Sequence, residues 1–143
     1  MFEDKLSIKG LIAGIGAYLL FSIVAMGVIV QLWAPAGVTD PQELARLAEN
    51  DSTLLMWQNI LGAVLGMLAG FVACHFAGAK GLRTPLVLGI LLALYGALGI
   101  YLHPDHPALM QAAKLLAPVP LVLLGGWLRL LLVRPHSSTV GKA

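Results

Sequence analysis

Four apolar stretches separated by short polar clusters account for most of the chain. No charged residue occurs between Lys9 and Asp40, none between Asp51 and Lys80, and none between Arg83 and Asp105. Each gap is long enough for a helix of about 20 residues, the length that crosses a hydrocarbon layer. The pattern predicts spans over residues 11–33, 54–76 and 85–102. Trp33 marks an interface end of the first span, and Pro85 opens the third at a position where its missing N–H costs no helical bond. The last apolar stretch is interrupted: only residues 115–128 separate Lys114 from Arg129, too few to cross. A fourth span over residues 108–133 solves the length problem. It requires Lys114 and Arg129 either to reach toward opposite surfaces or to face the protein interior.

One further helix is expected outside the apolar runs. Asp40, Pro41 and Glu43 have the form of an N-cap, a first-turn proline and a capping-box carboxylate. Over residues 41–50 this places Leu44, Leu47 and Ala48 on one face of a short amphipathic helix. The polar tail, residues 135–143, is expected to be flexible. The predicted fold is thus a single all-α integral membrane domain: a four-transmembrane-helix bundle with a short amphipathic helix in the first outer loop.

The spans carry a second pattern, in residue size. Gly62, Gly66, Gly70, Cys74 and Gly78 recur at every fourth position. At 100° per residue, Asn59, the first three of these glycines, Cys74 and the intervening alanines fall within an arc from about −20° to +120°. Trp57, Leu61, Val64, Leu68, Phe71, Val72 and His75 lie opposite. In the third span Gly89, Ala93, Gly96, Ala97 and Gly99 share a face, opposite Ile90, Leu91, Leu94, Tyr95 and Leu98. Small residues let membrane helices approach closely. Gly62, Gly66, Gly70, Cys74, Gly89, Ala93 and Gly96 are therefore the expected helix-packing positions, with the small faces of the second and third spans meeting each other.

Composition supports the class. Of 143 residues, 59% are hydrophobic and 11% charged, with a mean hydropathy of +0.88. A soluble domain would carry about 25% charge. The single cysteine, Cys74, excludes an internal disulfide and reads as a small packing residue. Charge distribution sets the orientation. Lys5, Lys9, Lys80, Arg83, Arg129, Arg134 and Lys142 fall on one side, and Arg46 and Lys114 on the other. The excess of positive charge marks the cytoplasmic side, so both termini are expected there. Topology and composition are those of small four-span proteins of the bacterial inner membrane, the expected location.

Candidate chemistry is sparse. Gln111, Lys114, Pro118, Gly125 and Arg129 fall within about 60° on an ideal helix, and Asn59 shares the small face of the second span. Gln111, Lys114, Arg129 and Asn59 form a candidate polar pathway; the competing reading is that the cations reach the interface and the amides bond between helices. Pro118 is expected to kink the fourth span. His103, Asp105 and His106 are the strongest candidates for a metal site, but two imidazoles and a carboxylate are too few to close a zinc site, and a proline-rich turn accounts for them. No metal, cofactor or nucleic-acid partner is expected, and His75 is the only histidine within a span. The spans contain no Asp or Glu and no acid–base constellation.

The expectation is a non-enzymatic structural, interaction or accessory protein, partnered by the bilayer and by a second copy or a larger membrane protein. The alternative is a transporter or channel subunit using the polar face of the kinked fourth helix.

Overall fold

The computed structural model describes residues 5–78, 81–102, 104 and 107–133. Among them are six helices: α1 (Ile8–Trp33), α2 (Pro41–Asn50), α3 (Ser52–Ala77), α4 (Arg83–Leu102), α5 (Ala108–Leu116) and α6 (Pro118–Val133). Helices α1, α3 and α4 are each long and apolar enough to cross a membrane, while α5 and α6 pass the same test only as a pair bent by 40°. The fourth apolar stretch is therefore two helices with a bend between them. Pro118 has no N–H to bond to the Lys114 carbonyl, and Pro120 none for that of Leu116. The first helix stops at Leu116 and the second starts at Pro118.

Local caps place the other ends. Ser7 accepts a hydrogen bond from the Gly10 N–H with its hydroxyl at 3.2 Å, and donates its own N–H to the buried Thr84 hydroxyl at 3.2 Å. One residue thus starts α1 and ties it to the first turn of α4. At the opposite end Asp51 closes α2 and opens α3. One carboxylate oxygen accepts from the Leu54 N–H at 2.9 Å, and the other from the Trp33 indole N–H at 2.8 Å. Hydrogen bonding to the Leu54 N–H first, and to the Trp33 indole second, holds this carboxyl below its ordinary range. In α2, Leu44, Leu47 and Ala48 are half-buried while Glu43, Arg46 and Glu49 are exposed, and the Asp40 carboxylate accepts from the Gln42 N–H at 3.1 Å. Helix α3 ends at Gly78, whose φ of +58° is left-handed and suits glycine.

Helix α3 is the centre of the bundle. It packs chiefly against α1 and α6, while α4 leans mainly on α6 and touches α3 lightly. This corrects the expectation that the small faces of the second and third spans meet. The face of α3 is wide, and α1 and α6 take most of it. At Gly70 the Val122 carbonyl of α6 lies where a Cβ would be, and at Gly125 of α6 the Met67 carbonyl of α3 does the same. On the α1 side, a Cβ at Gly10 would lie 2.6 Å from the Ala73 carbonyl oxygen, and one at Gly14 2.9 Å from the Ala73 Cβ. Carbonyls resting on glycine Cα–H groups add about 0.5–1 kcal/mol each. Side-chain dispersion does the remaining work where lipid gives no hydrophobic drive. Ala69, Ala73, Leu88, Leu92 and Val122 form the buried core beside this seam.

The outside of the long helices is largely apolar. Ile12, Leu20, Ile23 and Leu32 of α1, Trp57 and Val64 of α3, and Leu94, Tyr95 and Leu98 of α4 are each more than half exposed. Water does not tolerate so large a contiguous apolar surface. The molecule is a bundle of long apolar helices suited to embedding in a lipid bilayer.

Candidate functional site

A cavity of about 420 Å³ lies in the half of the bundle nearer α2, between α3, α4 and the α5–α6 break, with Tyr18 of α1 on its wall. Along α3 it runs from Leu55 to Gly66, about 16 Å at 1.5 Å per residue. It therefore reaches from one end of the bundle to about mid-thickness. Most of the wall is apolar. Five polar side chains interrupt it: Gln58, Asn59, Lys114, Tyr18 and Tyr95. Beyond the deep end, at Gly66, Leu92 and Leu121, the buried core begins.

The broken helix creates this space. The Lys114 carbonyl, which faces a proline one turn on, rests on Gly96 of α4 in the place of a Cβ. The turn before the break is thereby pinned to α4 while α6 departs toward α3 and the glycine seam. A Cβ at Gly89 would lie 2.9 Å from the Val119 Cα, so α6 also leaves in close contact with α4. The gap between the diverging segments remains open on the α3 side.

The polar candidates are only partly brought together. Asn59 and Lys114 share the cavity. Asn59 does not bridge helices: its amide donates to the Leu55 carbonyl of its own helix at 2.9 Å. The Gln111 amide donates to the Pro104 carbonyl at 2.8 Å, closing the turn before α5. Arg129 lies eight residues beyond Leu121, about 12 Å further along α6. Its Nε is buried without a hydrogen-bond partner among the described residues. The expected polar face over Gln111, Lys114 and Arg129 is thus divided by the bend at the break.

The small residues sort into different environments. Gly70, Gly89 and Gly96 meet the backbone of another helix. Cys74 is buried and Ala93 half-buried. Gly66 makes ordinary contact with Leu121 Cβ at 3.7 Å. A Cβ at Gly62 would meet nothing within 4 Å among the described residues, and Gly62 lines the cavity. Gly99 is open in the same way and lines the same cavity. Tyr18 and Tyr95 were not singled out from the sequence as site residues; a phenol within an apolar run is the signal they carried. His103, Asp105 and His106 lie outside the described residues, and among the described residues no group of three potential ligands could hold a metal.

No family model matches the chain, and neither the curated proteins nor the solved structures contain a match to it.

Proposed function

We propose that the chain is a non-enzymatic membrane protein that crosses the bilayer four times, with α5 and α6 as one broken span and both termini cytoplasmic. Its role is structural or interactive, as a subunit assembled with a second copy or a larger membrane protein. The carrying observation is the allocation of the glycines. Gly10, Gly14, Gly70, Gly89, Gly125 and Gly126 are consumed inside the bundle by neighbouring helices. By contrast α1, the span with the smallest buried share, carries Gly16 and Gly27 with nothing within 4 Å. That face of α1 is where another helix could approach closely.

The test separates folding from assembly. In lipid nanodiscs, Gly70→Leu is expected to lower folded yield and thermal stability by about 1–3 kcal/mol or more, the cost of overpacking. Gly16→Leu and Gly27→Leu are expected to leave stability unchanged and to remove the partner from a gently extracted complex. A monodisperse monomer with no stoichiometric partner before mutation would refute the assembly role.

A transport role has one observation in its favour, the joining of Lys114 and Asn59 in one cavity. Liposome flux that falls in Lys114→Ala would favour it over the structural reading.

A further inference from the structure

We propose that the cavity at the α5–α6 break is a binding site for a single-chain amphiphile with an anionic headgroup, its chain directed toward mid-bilayer. Three features of the cavity carry this. Its volume of about 420 Å³ lies within the range of small-molecule sites, about 300–1,000 Å³. Among the described residues its wall combines one cationic side chain, Lys114, with the Gln58 and Asn59 amides and the Tyr18 and Tyr95 phenols, and includes no Asp or Glu. An anion in this cavity meets hydrogen-bond donors and one positive charge. A charge-assisted bond there gains from the low dielectric around it.

The third feature is the glycine lining. Gly62 and Gly99 sit within helices, where glycine costs about 1 kcal/mol relative to alanine in water, yet neither meets a neighbouring helix. Close packing does not explain them. They border the cavity from two different helices, and a larger side chain at either would enter it. Gly16 and Gly27, also open, do not line this cavity.

The amphipathic gradient sets the direction of binding. Gln58 and Asn59 stand one turn from the α2 end of the cavity at Leu55, whereas Gly66, Leu92, Pro118 and Leu121 form its apolar deep end. The Cα–Cβ bond of Lys114 tilts toward the N-terminus of α5, the same end as the amides. A head held there leaves the chain to fill the apolar half. The core beyond Leu92 and Val122 is closed, which limits the depth. The site is independent of the assembly role proposed above, since it uses neither Gly16 nor Gly27.

The full-length protein, delipidated in mild detergent, would be titrated with dodecyl phosphate and, in parallel, with dodecanol, and read by native mass spectrometry. Wild type is expected to take up one dodecyl phosphate per chain, at least tenfold more tightly than dodecanol. Lys114→Gln is expected to abolish that preference while keeping the weaker dodecanol binding. Gly62→Leu is expected to weaken both ligands at least tenfold, with helical content and melting temperature retained. Gly99→Leu serves the same purpose should Gly62→Leu fail to fold. A bilayer source and a free source for the natural anion separate in a further arm. One phosphatidylglycerol retained through delipidation and displaced by dodecyl phosphate identifies a membrane lipid; dodecyl phosphate binding with no retained lipid identifies a soluble amphiphile. Unsaturable binding, or binding unchanged in both glycine variants, overturns the proposal.

Discussion

Single residues divide sharply by what stands one atom away. Gly62 and Gly70 occupy the same helix two turns apart, yet one borders open space and the other a carbonyl of α6. Spacing identified both as small and could not separate them, because the difference lies in the neighbouring helix and not in the local pattern. Asp51 shows the same dependence on context. Its capping of α3 follows from an acidic residue before a helix, but its bond to Trp33 joins positions that the sequence leaves unrelated. The lowered carboxyl pKa sets the sign of its pH response. Because the folded value lies below the unfolded one, the contribution is present above the unfolded pKa of about 3.9 and is lost as pH falls through the folded value. In a Trp57→Phe, Trp127→Phe background, Trp33 emission is expected to stay constant from pH 8 to pH 5 and to change only below about pH 4. Asp51→Asn should remove that transition while keeping the cap, and Asp51→Ala should give the acid-form spectrum at every pH. A transition near neutrality would show that Asp51 does not control the signal.

At the scale of helices, apolar length and charge-free runs were enough to locate α1, α3 and α4 to within a few residues, and the capping residues located α2. The break at Ala117 was legible only as a kink. A proline at Pro118 signals a lost hydrogen bond, but whether the helix bends or divides depends on what receives the Lys114 carbonyl, and Gly96 is on another helix. Pro118→Ala restores the missing donor and is expected to straighten the segment. Spin labels at Ala112 and Leu124 should then move apart and report a narrower distance distribution. Gly96→Ala acts from the other side, by pushing the Lys114 carbonyl away. An unchanged distance in Pro118→Ala would mean that packing on α4, and not the absent N–H, imposes the bend.

The whole molecule is uneven from end to end. The half near Gly10, Gly70, Gly125 and Gly126 is tightly joined, whereas the half near α2 holds the cavity. Fold class was readable from composition because a lipid-facing surface needs no charge. Partner choice between helices was not readable, since more than one span carries a small face and their pairing is decided in three dimensions. Orientation remains a matter of lysine and arginine bias, and it makes a direct prediction. In a Cys74→Ser background, Glu43→Cys is expected to react with an impermeant maleimide on intact cells, and Arg83→Cys only after permeabilisation. The reverse labelling would invert the proposed topology. The dominance of α6 over α4 at the surface of α3 also has a consequence for biogenesis. Helix α3 finds α1 already made, but its second principal neighbour, α6, is made only after α4 and α5. At roughly 5–20 residues per second, synthesis from Ala77 to Val133 occupies roughly 3–11 s. For that interval the Gly70 face is without its native cover, and the nascent chain depends on insertion machinery or lipid to keep other helices from taking the place of α6.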